Sequence, residues 1–423
     1  MVDEHVLDDL EARGLLAHTT DRDALRTQLS TPTTYYVGFD PTAPSLHMGN
    51  LVQLLTARRL QQAGHVPLIL VGGATGLIGD PREAGERVLN DTELVGSWVE
   101  RIRTQISRFV DLEGDNGARV VNNLDWTQQM TPIDFLRDIG KHFPVNRMLG
   151  RDVVRTRLEA GISYTEFSYV LLQAMDYLEL SRRYGCRLQF GGSDQWGNLT
   201  AGVDLVRRSD GEQVHALATP LVTRADGTKY GKTETGTVWL DPEMTSPYAF
   251  HQFWLQAEDA KAGEYLRIFS LRPVTEIEAL LAEHEQRSAE RIAQRALAAD
   301  VTALVHGDAE LAAAEQAGQA LFGRADLDSL TEPMLRSALA GTPYARLEVG
   351  AVLPTVVDAL VATGLADSRG QARRTVSEGG AYVNNERILE AEEPLPSTAL
   401  LHGRWVVLRK GKRTVAGVEV LRG

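Results

Sequence analysis

One cysteine, Cys186, stands among 423 residues, so neither an intrachain disulfide nor a thiolate zinc site is available to the chain. No run of about 18 apolar residues occurs, which argues against a helical membrane span. The opening Met-Val-Asp-Glu-His lacks the basic and apolar regions of a secretory leader, and a reducing cytoplasm is the expected location. Lysine is scarce as well: six occur, at 141, 229, 232, 261, 410 and 412, against 38 arginines. Where a chain so biased to arginine keeps lysine, the compact and flexible ammonium is of interest, and four of the six form the close pairs 229/232 and 410/412. No Walker pattern and no Ser-His-Asp order stand out. The glycines of residues 72–79 do not make a dinucleotide fingerprint, because position 74 is alanine.

What is present is an ordinary globular composition, 43% apolar and 24% charged, long enough for two or three domains. The net charge of −13 is unevenly spread, since residues 346–423 hold eleven basic and nine acidic side chains. An acidic body with a mildly basic tail is compatible with RNA contact through local patches and equally with no nucleic acid at all. Residues 5–30 read as helices. Apolar strands are predicted at 35–39, 67–72, 119–122 and 186–190, with helical stretches between them, which indicates an α/β domain built on a parallel sheet. Ligands then gather at the carboxyl ends of the strands, where loops 38–50, 72–81 and 190–198 lie. Beyond about residue 240 the strand signal gives way to helices at 246–270 and 274–297. Short Gly- and Asp-punctuated pieces at 306–345 read as a connector, and the remainder reads as a compact α+β module.

Residues 36–50, Tyr-Val-Gly-Phe-Asp-Pro-Thr-Ala-Pro-Ser-Leu-His-Met-Gly-Asn, begin as a strand, break at Pro41 and Pro44, and restart as a helix. A helix start has unpaired N–H groups and a positive dipole end, so His47, Gly49 and Asn50 placed there suit a polyphosphate. Tyr169, Gln173 and Asp176 stand at i, i+4 and i+7 and share one helix face, either a solvent face or the polar wall of a pocket. Asp80 closes a Gly-rich turn and is suited to receive an ammonium. Gly191 and Gly192 permit close backbone approach, and Asp194 suits a ribose hydroxyl. Lys229-Tyr-Gly-Lys-Thr233 lies in a polar loop that reads as an exposed basic turn or as a mobile phosphate clamp. Asp125 and Trp126 read as ordinary loop and interface residues. His47 has no second metal ligand at suitable spacing, so no metal site is expected.

Taken in order, these segments resemble the class I aminoacyl-tRNA synthetases, residues 36–50 being similar to the HIGH signature with the lead-in of the tyrosine-specific bacterial branch. Residues 246–254 and 304–307 are also similar to that branch. Residues 368–374 and 379–384 resemble a small RNA-binding fold of the ribosomal-protein type. The resemblance covers nearly the whole chain. It implies a Rossmann-like parallel-sheet catalytic domain at 1–238, an α-helical anticodon-binding domain at 239–340, and a small α+β RNA-binding domain at 350–423.

By the same resemblance, Tyr36 and Asp176 bond a substrate phenol, while Asp80, Tyr169 and Gln173 hold its ammonium. Gly38, Asp40, Gly49, Gly191, Gly192, Asp194 and Gln195 surround the adenosine and the reacting carboxylate. Thr42, His47 and Asn50 face the phosphates, joined by Lys229, Lys232 and Thr233 when their loop closes. The implied reaction is tyrosine plus ATP to tyrosyl-adenylate, then transfer to tRNA(Tyr). Magnesium would be held mainly by the ATP phosphates. No organic cofactor, editing domain or membrane partner is expected, and a homodimer is implied. Two departures stand out: Asn50 replaces the second histidine of HIGH, and Lys-Tyr-Gly-Lys-Thr replaces KMSKS while keeping both lysines and the hydroxyl. The competing readings are a tryptophanyl-tRNA synthetase and a non-catalytic RNA-binding protein on the same scaffold.

Overall fold

The computed structural model describes residues 2–3, 5–81, 91–233, 236–349, 352–411 and 414–422, with backbone alone at 152, 153, 232, 233 and 422. Two compact units result: residues 1–240 with 258–293, and residues 241–257 with 294–423.

The first unit is built on strands β1 (His18–Thr19), β2 (Thr34–Phe39), β3 (Val66–Val71), β4 (Arg119–Asn122), β5 (Leu188–Gly192) and β6 (His215–Thr219), in the order β1-β6-β5-β2-β3-β4. All neighbours are parallel except β1 against β6. Strand β3 is apolar from Pro67 to Val71 and buried throughout that stretch, as a parallel sheet covered on both faces demands. The chain runs from β2 to β3 and β4 on one side, then returns to lay β5 and β6 on the other. The direction of winding therefore changes between β2 and β5, and the loops leaving those two strands border one crevice. Neither β1 nor β6 is among the strands read from sequence. The hairpin β7 (Lys232–Thr233) and β8 (Gly236–Thr237) follows.

The long helix Tyr164–Tyr184 shows why its sequence folds locally. Ser163 caps it by accepting from the Glu166 N–H at 3.2 Å, and Gly185 ends it in the left-handed region at φ 64°. Inside, the carboxylate of Glu166 meets the Arg157 guanidinium at 3.1 Å, both side chains buried. Helix Asp259–Phe269 also belongs to this unit. Arg59 donates to the carbonyls of Ile268 and Ser270 at 2.8 and 2.7 Å, and Arg13 to those of Arg267, Ser270 and Arg272. Two guanidiniums thus satisfy the free carbonyls at a helix C-terminus. Because of such anchors residues 258–293 group with the sheet, and residues 239–340 are divided between the two units.

The second unit holds β9 (Tyr344–Val349), β10 (Ala381–Val383), β11 (Glu386–Arg387), β12 (Trp405–Lys410) and β13 (Thr414–Arg422), ordered β11-β10-β12-β13-β9. Only β13 and β9 are parallel, and β9 brings residues ahead of 350 into the sheet. Val356, Val357, Leu360 and Val376 pack on Val406, Leu408 and Val418 to form its core. The segment 306–345, read as a connector, instead forms helices Asp308–Leu321 and Glu332–Leu339. The first buries a stripe made mostly of alanine, Ala314, Ala317 and Ala320 with Leu321, too weakly apolar for its period to stand out. Among the described residues, no helix is long and apolar enough to cross a membrane.

Candidate active site

The carboxyl ends of β2, β3 and β5 bring the expected residues into one crevice, in three connected groups. At its floor lies Tyr36, whose register on β2 places it between Leu68 of β3 and Gln189 of β5. Its ring packs edge-on to Tyr177 at 5.3 Å, and its hydroxyl is buried without a hydrogen-bond partner among the described residues. A buried hydroxyl of this kind is costly unless something bonds it. Burial holds its pKa well above the usual tyrosine value, and the neighbouring Asp176 carboxyl adds to the effect.

Asp176 is itself only 2% exposed. It accepts from Asn123 Nδ2 at 3.0 Å and Trp126 Nε1 at 2.9 Å. Burial raises its pKa to about 8, although both donors favour the ionised form. Trp126 is therefore no mere interface residue, as the sequence suggested, but an indole that fixes this carboxylate. Asn123 was not singled out either. A short-range pattern carries no sign of either contact, because the partner lies about 50 residues away.

Asn123 also links the floor to the second group. Its Nδ2 donates to Thr75 Oγ1 at 3.0 Å, Thr75 donates to Asp40 Oδ1 at 2.6 Å, and the Tyr169 hydroxyl donates to Asp40 Oδ2 at 2.7 Å. The polar stripe of the helix thus faces inward: Tyr169 and Asp176 are buried, and Gln173 is half-buried with no side-chain hydrogen bond among the described residues. Gly72 is required here, because a Cβ would fall 2.0 Å from Asp40 Oδ1. The third group centres on Asp80, which accepts from Gln195 Nε2 at 2.8 Å and Asn198 Nδ2 at 3.4 Å. Asn198 in turn accepts from Arg151. Asp40 and Asp80 both act on the Tyr169 phenol, whose pKa is raised by burial first and by these carboxylates next.

The crevice opens at the start of helix Met48–Gln62. His47 is its N-cap: Nδ1 accepts from the Gly49 N–H at 3.0 Å, while the His47 N–H donates to Asn50 Oδ1 at 3.0 Å. The imidazole lies so close over Gly49 that a Cβ there would approach Cε1 to 2.9 Å. Gly38 and Thr42 are exposed, and the Thr42 N–H donates to the Asp40 carbonyl at 2.9 Å. Gly191 is half-buried beside Leu199, and Gly192 leaves room for the Asp194 carboxylate, which a Cβ would meet at 2.6 Å. Lys229 Nζ stands 3.9 Å from Asp194 Oδ2. The lysine loop is tied to the helix start through its backbone. Val238 accepts from the Met48 N–H, Leu46 accepts from the Leu240 N–H, and Trp239 packs edge-on to His47 at 6.1 Å. The side chains of Lys232 and Thr233, and all of Lys412, lie outside the described residues. Lys410 is committed to the Leu365 carbonyl at 2.7 Å. Among the described residues no group of three His, Cys, Asp or Glu is placed to hold a metal ion.

Comparison with known proteins bears on this arrangement. The family model of class I tRNA synthetases for tryptophan and tyrosine matches residues 28–323, and that of the tyrosine–tRNA ligase SYY-like C-terminal domain matches residues 335–416. The chain is 60% identical over 422 residues to a tyrosine–tRNA ligase of Kineococcus radiotolerans, covering 98% of each chain. It is 59% identical to that of Streptomyces griseus over 419 residues, again 98% of each. A crystal structure of a C-terminally truncated mitochondrial tyrosyl-tRNA synthetase from Aspergillus nidulans superposes with a TM-score of 0.68 at 29% identity, over 75% of this chain and 94% of that one.

Proposed function

The chain belongs to the class I tRNA synthetases of the tryptophan and tyrosine type, and from that premise we propose how its residues divide the work of a tyrosine–tRNA ligase. The reaction joins L-tyrosine to ATP as tyrosyl-adenylate, releasing pyrophosphate, and then passes the tyrosyl group to a ribose hydroxyl of the terminal adenosine of tRNA(Tyr). The attacking carboxylate is already a nucleophile. Catalysis is therefore positioning, together with stabilisation of charge at the α-phosphoryl group.

The observation that carries the residue assignment is the buried, partnerless hydroxyl of Tyr36 beside Asp176. A substrate phenol can accept from one and donate to the other. Phenylalanine would leave the Tyr36 hydroxyl unpaired and offer Asp176 no donor beyond Asn123 and Trp126, a penalty that tyrosyl enzymes use to reject it. Asp80, Tyr169 and Gln173 receive the ammonium, and Asp40, Gln195 and Gly38 border the reacting carboxylate. Gly49, Gly191, Gly192 and Asp194 frame the adenosine. Thr42, His47, Asn50, Lys229, Lys232 and Thr233 surround the phosphates. Magnesium enters on those phosphates and neutralises charge there, with the nucleotide supplying its ligands.

We assign tRNA contact to the helical segment 239–340 and to the module 350–423. Support comes from the exposed Arg374 and from Arg409, whose guanidinium lies 4.3 Å over the Tyr382 ring. A homodimer is supported by large apolar side chains left exposed between residues 133 and 164, among them Ile133, Val145 and Tyr164. We read its location as cytoplasmic, as for the bacterial ligases it resembles over its full length.

ATP–pyrophosphate exchange with tyrosine, with tryptophan and with no amino acid tests the reading. Tyrosine-dependent exchange is expected, eroding in selectivity against phenylalanine in Asp176→Ala. Exchange driven by tryptophan would favour the tryptophanyl reading, and no exchange the non-catalytic one. Full discrimination in Asp176→Ala would remove Asp176 from the phenol site.

A further inference from the structure

The loop that carries Lys229 is not held by the sheet alone. Its two arms are closed by the Tyr230 N–H to Val222 carbonyl bond at 2.9 Å and the Arg224 N–H to Thr228 carbonyl bond at 2.8 Å. The base of this hairpin rests on helix Asp259–Phe269. Tyr265, fully buried, stacks on Tyr230 with ring centroids 4.2 Å apart and planes 28° from parallel. Its hydroxyl donates to the Thr223 carbonyl at 2.8 Å, so one side chain holds both arms. The Arg224 guanidinium lies 6.0 Å from the centroid of the Tyr230 ring, and Glu258 accepts from the Ala225 N–H at 2.8 Å.

At its far end the same helix is seized by Arg59, which belongs to the helix that His47 begins. The lysine loop and the histidine are thus referenced to each other by two rigid helices and one aromatic stack. Aromatic stacks carry directional preference beyond area burial, and a displacement of about 1 Å in a positioning element is enough to slow chemistry about a hundredfold.

We propose that Tyr265 is a positioning residue for adenylate formation, setting where Lys229 stands relative to His47 by clamping Tyr230 and Thr223. The proposal rests on the assignment of the lysine loop to the ATP phosphates.

The test is ATP–pyrophosphate exchange by Tyr265→Leu, Tyr265→Phe, Tyr230→Leu and the Tyr230→Leu/Tyr265→Leu double variant, with Lys229→Ala as reference. Tyr265→Leu is expected to lower kcat about tenfold or more while leaving KM for tyrosine unchanged, and Tyr265→Phe, which keeps the stack, to lose less. The double variant should be no slower than the worse single one, because both break the same contact. Tryptic cleavage after Lys229 should quicken in Tyr265→Leu. Should that variant fail to fold, Tyr230→Leu carries the same expectation from the loop side. A Tyr265→Leu enzyme with wild-type kcat, or one whose tyrosine KM rises in step with the loss, overturns the proposal, the latter by showing general damage. If Lys229→Ala is slow and Tyr265→Leu is not, the positioning role alone falls. If Lys229→Ala is fully active, the phosphate reading of the loop falls and takes the positioning role with it.

Discussion

The main-chain N–H of His47 donates to the side-chain oxygen of Asn50 at 3.0 Å. The residue that departs from the HIGH signature therefore spends its carbonyl oxygen on fixing the histidine that does not. Asn50→Asp preserves the acceptor and is expected to unfold within about 0.5 kcal/mol of wild type, whereas Asn50→Ala loses the cap at a cost of about 1 kcal/mol. Urea titration measures both. In exchange assays the aspartate variant should show a raised KM for ATP, because a second anion then stands beside the phosphates.

Tyr36→Phe removes a buried hydroxyl that bonds nothing among the described residues. Thermal stability should hold or rise slightly. Yet kcat/KM for tyrosine should fall by roughly fivefold or more, about 1 kcal/mol or greater of lost hydrogen bonding, and discrimination against phenylalanine should narrow. A marked loss of stability would mean that the hydroxyl has a partner in the free protein.

Asp176 gives the stability of the free enzyme a specific pH slope. Burial raises its pKa from the ordinary 3.8 to about 8, so the folded chain keeps this proton across a window in which the unfolded chain has released it. Folding then takes up a proton, and stability declines as pH rises from about 4 to about 8, by at most about 1.4 kcal/mol per pH unit. Asp176→Asn cannot titrate. Its unfolding free energy, followed by denaturant titration over that range, should be flatter than wild type by this amount. Parallel curves would place the proton elsewhere.

Gly72→Ala tests the link from floor to mouth. A methyl group there would fall 2.0 Å from Asp40 Oδ1 and 2.2 Å from Thr75 Oγ1, and neither side chain can stay where it is. Exchange activity should drop on the order of a hundredfold, with circular dichroism close to wild type.

Much of this site was legible because it is built from short segments with strong local grammar. The apolar strand, double proline and helix restart of residues 36–50 put Tyr36 on β2 and His47 at the N-cap of the helix that follows. The 169/173/176 spacing fixes a shared face, though not whether that face looks outward. Its inward orientation depends on Asp40 and Thr75, which arrive from the segments that follow β2 and β3. The roles of Asn123 and Trp126 had no local signature, since a carboxylate's partner about 50 residues away leaves no period in the sequence. Strands β1 and β6 were missed for a different reason. The first is two residues long, and the second, His-Ala-Leu-Ala-Thr, has the composition of a helix and becomes a strand only through its pairing with β5.

The lone cysteine has a practical consequence. Cys186 is fully buried just ahead of β5, and its thiol is held well above its usual pKa by that burial. The native chain is therefore expected to be silent to maleimide reagents, which a thiol titration of the folded protein checks. A cysteine introduced at an exposed position of the lysine loop, such as Thr228, would take a fluorophore without any background thiol being removed first. The motion of that loop becomes open to time-resolved measurement in an otherwise unaltered protein.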